Sequence, residues 1–416
     1  MKILHTVESY LPSHHGMSEV VRQISERLVG AGHHVTVVTR FDPRRLEKKI
    51  NGVDIVEFNV SGNITEGIQG EYDLYVRFLL ESQYDIVTNF AAQQWATDLA
   101  LPILPKIHGK KVFVPTGFSA LYMEKYKPYF ERMKEWLNEY DKVVYLSNDY
   151  RDVNFARELG FKNGILIPNG ASEEEFSTAI DPGFKTRLNI PEQNTLVLHV
   201  AGYVGGKGHL DAIKIFRKAK LKQSSLLLVS PEFGDKFEHY QILNLSSLKS
   251  IIKMIIKNHV FPEYDYIVLL RRLQKIGLYS NIRFIELSRP EVVQAYKNAD
   301  LFLFPSNIEC SPIVLFECMA AKTPFLVTDV GNAREIVEWS KAGEILPTKV
   351  SKKNIGLCRA EIQKSSCILR KIDTDIEKKK TMSENGYNSW MSNFTWKKIS
   401  KQYEVQIGRA SCRERV

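Results

Sequence analysis

The feature that most constrains this chain is an alternation of short β-rich runs with longer amphipathic stretches, which completes one series and then starts again. The first series reads as strands at Met1–Val7, His34–Thr39, Val53–Phe58, Tyr84–Phe90, Lys111–Pro115, Lys142–Leu146 and Gly164–Pro168. Helical stretches intervene at Ser18–Val29 and near 70–82, 92–101, 122–140 and 149–159. A polar stretch with Pro182 and Pro191 follows. The second series then gives strands at Thr195–Ala201, Ser225–Ser230, Asn281–Glu286, Leu301–Pro305 and Pro324–Thr328, with helices at 207–219, 289–298 and 312–321. Such runs predict parallel sheets covered on both faces. The expected architecture is α/β: two facing, doubly wound, Rossmann-like domains, with ligands at strand carboxyl ends in the cleft between them. The boundaries fall at 1–185 and 186–385, with a closing segment at 386–407 whose helix, Thr395–Tyr403, starts at a Thr395 cap.

Composition narrows the class. With 44% hydrophobic residues and only 24 Gly, 16 Pro and 5 Cys, the chain is neither collagen-like, disordered nor a disulfide scaffold. No apolar run reaches the ~18 residues of a membrane span. The opening MKILHTVES reads as a strand without the basic start and apolar core of a signal peptide. Cys310, Cys318, Cys358, Cys367 and Cys412 lack metal-knuckle spacing, so reduced thiols in a cytoplasm are expected. The last nine residues, GRASCRERV from Gly408 to Val416, read as a translated sequencing adapter and are set aside.

Charge is uneven. Residues 1–190 hold 22 Lys+Arg against 25 Asp+Glu, leaving a strongly basic remainder in a chain of formal charge +9. A basic half suits an anionic partner, whether a phosphate-bearing substrate or an acidic membrane surface, and equally describes a solvated lysine-rich face. No zinc-finger or RNA-recognition signature favours nucleic acid. In Asn244–Lys257, NLSSLKSIIKMIIK, Leu245, Leu248, Ile251, Ile252, Ile255 and Ile256 share a helical face flanked by Lys249, Lys253 and Lys257. That pattern fits a helix on an anionic membrane or one packed on its domain with snorkelling lysines. Asp265–Gly277 offers a packing partner.

The richest stretch is Pro305–Glu335, PSNIECSPIVLFECMAAKTPFLVTDVGNARE. Glu309 lies in the loop after a buried strand. Ser311 and Pro312 then read as cap and first turn of a helix whose N-terminal amides form an anion site for phosphate. Glu317, further into that helix, is suited to accept hydrogen bonds from vicinal hydroxyls such as those of a ribose, and Glu309 could do the same for a sugar. The plain alternative is a surface carboxylate pair. The second motif is His199–His209, HVAGYVGGKGH: a strand ending at Gly202, a helix starting near Lys207, glycines for close backbone approach, and a lysine point charge for phosphate.

On these residues the sequence resembles the family 4 glycosyltransferases, retaining enzymes of the GT-B fold, over nearly all of the chain to about residue 405. The resemblance implies that Glu317 grips the nucleotide ribose and Glu309 contacts the donor sugar. It also implies that the backbone of Ser311, Pro312, Ile313 and Val314 meets sugar and diphosphate, with Gly16, Gly202 and Gly206 lining the donor site. The family's usual arginine after the first glycine is replaced by Tyr203 and Val204, so neutralisation of the leaving diphosphate falls to Lys207 and helix dipoles.

Other motifs fit less closely. In Pro12–Glu19, PSHHGMSE, the family's two glycines become Gly16 and Met17, and the adjacent His14 and His15 read as solvated rather than metal-binding. In Val114–Ser119, VPTGFS, Thr116 and Gly117 stand near the place of a family histidine, so that residue is not carried over, and His108 upstream reads as structural. In Ile167–Phe176, IPNGASEEEF, Asn169-Gly170 signals a tight turn before the interdomain linker. The literal D-x-D, Asp373-Thr374-Asp375, reads as a helix N-cap, so no metal is expected.

The expected function is transfer of a sugar, with retention, from a UDP- or GDP-sugar to an acceptor hydroxyl on a carbohydrate, lipid-linked or protein acceptor. Surface polysaccharide or glycoconjugate synthesis is the setting that the resemblance implies. The nucleotide-sugar is a substrate and no cofactor is expected. The acceptor hydroxyl loses its proton to the departing phosphate oxygen, since no residue stands out as general base. A cytoplasmic enzyme, peripheral at the inner membrane face, fits this reading. The rivals are a nucleotide-sugar epimerase of the same architecture and a non-catalytic sugar-nucleotide-binding protein.

Overall fold

The computed structural model describes residues 1–13, 15–203, 205–233, 270–271, 273–274, 277–350 and 357–412. The amphipathic stretch at 244–257 and most of its expected partner at 265–277 lie outside these residues. The chain forms two compact units. The first comprises Met1–Glu173, Glu309–Phe316 and Trp390–Val416, and the second Glu174–Ile308 and Glu317–Ser389.

The first unit is built on an eight-stranded sheet. Its order is Gly164–Leu166, Lys142–Tyr145, Lys110–Val114, Ile86–Phe90, Lys2–Thr6, His34–Arg40, Val53–Phe58 and Lys49–Ile50. All neighbours are parallel except the short edge strand Lys49–Ile50. Every residue of Ile86–Phe90 is buried, as a central parallel strand covered on both faces requires. The helix Gly16–Gly30 buries Val20, Val21, Ile24 and Leu28 at helical spacing against this sheet.

The closing helix belongs to this unit. Trp396, Ile399 and Tyr403 are buried in the same core as Val20 and Ile24. The expected cap is present: the Lys398 amide donates to the Thr395 hydroxyl at 3.3 Å. The helix runs from Trp396 to Cys412, beyond the expected end at Tyr403 and into the segment set aside as adapter-like.

The second unit carries a six-stranded, wholly parallel sheet in the order Ile282–Ile285, Ser224–Val229, Thr195–Val200, Leu301–Phe304, Phe325–Thr328 and Gly343–Leu346. Counted along the unit, that is 3-2-1-4-5-6, the dinucleotide-fold order. Its reversal lies between Thr195–Val200 and Leu301–Phe304. Ser224–Val229, Leu301–Phe304 and Phe325–Thr328 are buried throughout.

The strands fall where the sequence puts them to within a residue or two. Several elements go unanticipated: the hairpin Val60–Asn63 with Gly67–Gly70, the edge strand Gly343–Leu346 and the helix Ala333–Ser340. At Asn169-Gly170 the expected tight turn is absent. Instead the Asn169 amide donates to the Ser311 carbonyl at 2.8 Å. Gly170 is needed for close approach, since a Cβ there would lie 2.5 Å from the Phe394 carbonyl oxygen.

Candidate functional site

In the second unit, the loops after the two strands at the reversal are bound to each other. The strand Thr195–Val200 stops two residues before Gly202, and the helix starts at His209, two residues later than expected. Between them Gly205, Gly206 and Gly208 all have left-handed φ, of +75°, +72° and +77°. The Gly206 carbonyl accepts from the Asn307 amide at 2.7 Å and from the Ser306 hydroxyl at 3.1 Å. Gly208 has no room for a side chain, because a Cβ would sit 2.1 Å from the Pro305 carbonyl oxygen. The glycines therefore fold this loop onto 305–307 and hold Lys207 between two of them, half-buried at the carboxyl edge of the sheet.

Beneath the loop lies an aromatic cluster. His199 and His209 pack edge to face with ring centroids 4.6 Å apart, and Tyr203 packs on His209 at 4.9 Å and on Phe233 at 5.4 Å. The Tyr203 ring packs inward against His209 and Phe233 and so supports the loop. Burial lowers the pKa of His209 to about 2, with the nearby His199 adding to the effect, and burial lowers that of His199 to about 4. Both rings are neutral at physiological pH. His199 Nδ1 is tied to the Leu303 carbonyl at 2.8 Å, which braces the strand ends against each other.

Glu317 is buried on the helix Ile313–Ala320, at the carboxyl end of the strand Leu301–Phe304. It does not stand alone: the Arg289 guanidinium lies 2.6 Å from its Oε1. The same Arg289 bonds Glu175 Oε2 through Nη2 at 2.6 Å and Nε at 3.2 Å. Tyr296 lies close enough that burial first, and the Glu317 charge second, drive its phenol pKa well above 10.

In the first unit the segment Glu309–Phe316 packs on three loops. Pro312 precedes the helix rather than opening it, since the helix starts at Ile313. Gly16 is the first residue of the helix Gly16–Gly30, and a Cβ there would lie 3.9 Å from Ile313 Cδ1. Thr116, Gly117 and Phe118 are three consecutive left-handed residues, at +59°, +96° and +47°. A Cβ on Gly117 would meet Tyr150 at 2.6 Å and Cys310 Sγ at 2.8 Å, so the strained turn is pressed against the residue after Glu309. The Gly117 amide donates to Asp152 Oδ2 at 2.9 Å, and burial raises the Asp152 pKa to about 6.

The remaining expectations divide plainly. His15 sits at the helix N-cap with Nε2 2.9 Å from the Ser9 hydroxyl, while His14 lies outside the described residues. His108 bonds the Tyr84 carbonyl at 3.0 Å and is structural. Asp375 Oδ1 accepts from the Lys378 amide at 3.0 Å, the N-cap that the sequence predicts for the D-x-D. Arg289, Asp152 and Tyr150 escape sequence reasoning because single residues without a spacing pattern carry no signal.

Comparison with known proteins agrees with this architecture. The sequence pattern of Glycosyltransferase Family 4 matches residues 14–175, and that of Glycosyl transferases group 1 matches residues 268–387. The lipopolysaccharide glucosyltransferase WaaG of Escherichia coli (strain K12) is 22% identical over 357 residues, which cover 82% of this chain and 84% of WaaG. Among solved structures, the sucrose-phosphate synthase of Thermosynechococcus elongatus superposes with a TM-score of 0.72 at 17% identity, covering 98% of both chains. HepE of Anabaena in complex with UDP gives 0.69 at 16% identity, covering 98% of this chain and 100% of HepE, and HepE has also been solved with UDP-glucose. These neighbours share the two Rossmann-like domains of the GT-B fold.

Proposed function

The chain belongs to glycosyltransferase family 4 and is a GT-B enzyme of hexosyltransferase type, and from that premise we propose that it moves a sugar, with retention, from a nucleoside-diphosphate sugar to an acceptor hydroxyl. The observation that carries the donor assignment is the latched glycine loop at the strand-order reversal, with Lys207 between Gly206 and Gly208 and the buried carboxylate of Glu317 in the same unit. A strand-order reversal is where dinucleotide-fold sheets bind nucleotides. HepE, solved with UDP and UDP-glucose, supports a uridine donor, and WaaG supports a role in cell-surface glycoconjugate synthesis.

Each residue then has one task. Glu317 accepts hydrogen bonds from the ribose hydroxyls. Lys207, with backbone amides including those at Gly202, Gly206, Ser311, Ile313 and Val314, stabilises charge that builds on the diphosphate as the glycosidic bond breaks. Glu309 contacts the donor sugar. Gly16, the first residue of the helix Gly16–Gly30, is assigned to the donor site. The departing phosphate oxygen takes the acceptor proton, which keeps the entering hydroxyl on the face the leaving group vacates and so retains configuration. No metal is needed in this scheme. Among the described residues no helix is long and apolar enough to cross a membrane, and a basic second half suits contact with an anionic surface.

The test is a thermal-shift panel of UDP- and GDP-sugars, since a ligand that binds only the folded state raises the melting temperature by mass action. Stabilisation by one nucleotide series supports the reading, and the linkage made from an α-configured donor, read by NMR, should be α. Failure of every donor to stabilise, or a β-linked product, contradicts it.

A further inference from the structure

Arg289 lies outside every motif of the sequence, yet its guanidinium is the charge beside the buried Glu317. It opens the helix Arg289–Asn298, which is fixed at its start by Ser288: the Ser288 amide and hydroxyl donate to Glu291 Oε2 at 2.9 and 2.6 Å. Its Nε and Nη2 both donate to one carboxylate oxygen of Glu175, and the same Nη2 is the nitrogen that faces Glu317. A planar guanidinium held along one edge by Glu175 loses little freedom in contacting Glu317 through the same Nη2, which a flexible lysine could not match. A buried carboxylate without a counter-charge pays the desolvation of its charge in full.

We propose that Arg289 is a positioning residue for the nucleotide: it balances the Glu317 charge and holds Oε1, so that Oε2 accepts from the 2′- and 3′-hydroxyls of a nucleoside diphosphate. Glu175 is the anchor that fixes Arg289. The network joins three residues of the second unit, Glu175, Arg289 and Glu317, that lie on three different helices. Discrimination for ribose is thus set by the packing of these segments as well as by Glu317. This inference rests on the assignment of Glu317 to the ribose, and its test separates the two.

Calorimetry with UDP and GDP, each beside its 2′,3′-dideoxy counterpart, gives the ratio of affinities for ribose and dideoxyribose forms. The parent should prefer the ribose form of the nucleotide it binds by roughly 10- to 100-fold, the worth of hydrogen bonds to a charged acceptor. In Arg289→Met that ratio should collapse through loss on the ribose form alone, and Arg289→Lys should restore part of it. A parent that binds both forms alike removes Glu317 from the ribose, and the proposal falls with it. A parent that discriminates, with Arg289→Met keeping the same ratio or losing both forms equally, overturns the role of Arg289 and leaves Glu317 in place. Should Arg289→Met fail to fold, Glu175→Gln is the substitute, and an unchanged ratio there overturns the proposal in the same way.

Discussion

Glu317→Ala removes a charged acceptor from a buried site while leaving Arg289 its second partner, Glu175. Donor affinity should fall by about 1.5–3 kcal/mol, the worth of hydrogen bonds to a charged group, with the melting temperature little changed. Calorimetry that finds nucleotide affinity unaltered removes Glu317 from the donor site. Lys207→Met keeps length and apolar stem but loses the charge beside the glycines. Removal of one preorganised contact to developing charge lowers turnover roughly 100- to 1,000-fold, and the fall in kcat should exceed the fall in donor affinity, because the lost contact is made chiefly in the transition state. Parental turnover in Lys207→Met assigns the diphosphate to another cation. Arg334 is already tied to Asp329 at 2.5 Å.

At the scale of elements, the glycine loop works because it is latched. Gly208→Ala would force a Cβ against the Pro305 carbonyl at a left-handed φ. The loop should lift from 305–307, and both the melting temperature and donor affinity should drop. A variant that melts and binds as the parent does contradicts the latch. The neutral histidine pair beneath adds a pH dependence of definite sign. Both pKa values lie below the ordinary 6.5, at about 2 for His209 and about 4 for His199. The unfolded chain therefore binds protons that the folded chain refuses. Stability from the pair is full above pH 6.5 and falls as pH drops towards 4, by up to about 1.4 kcal/mol per pH unit for each ring. Asp98 and Asp152, raised to about 6 by burial, act in the opposite sense between pH 6 and 4. The clean measurement is a difference: the melting temperature of His209→Gln should fall less between pH 7 and 5 than that of the parent.

The same elements show what the sequence displays and what it hides. Leu301–Phe304 and the other buried central strands are legible because continuous burial demands β-branched and aromatic runs of fixed length. Gly343–Leu346 is not, because its four residues at a sheet edge carry too little apolar pattern. Glu317 and Lys207 stand in recognisable motifs. Arg289 and Asp152 act by tertiary placement, and one arginine among 57 basic residues has no local signature. Asn169 reads as a tight-turn residue, whereas its side-chain bond to the Ser311 carbonyl depends on a segment far along the chain and leaves no local signal.

At the scale of the whole molecule, the account is a nucleotide-sugar transferase that neutralises its leaving group with protein groups. The D-x-D carboxylate of Asp375 is engaged in capping a helix, so turnover should survive EDTA. Complete loss on chelation, restored by Mn²⁺, would show a metal at the diphosphate. The most direct measurement of the central claim follows radiolabelled sugar from the nucleotide-sugar that stabilises the chain, in EDTA, with an acceptor pool of glycolipids and oligosaccharides. The account predicts label in acceptor with stoichiometric release of nucleoside diphosphate, abolished in parallel by Glu317→Ala and Lys207→Met. Label recovered in an epimerised nucleotide-sugar, or a donor that stays bound and intact, would contradict it.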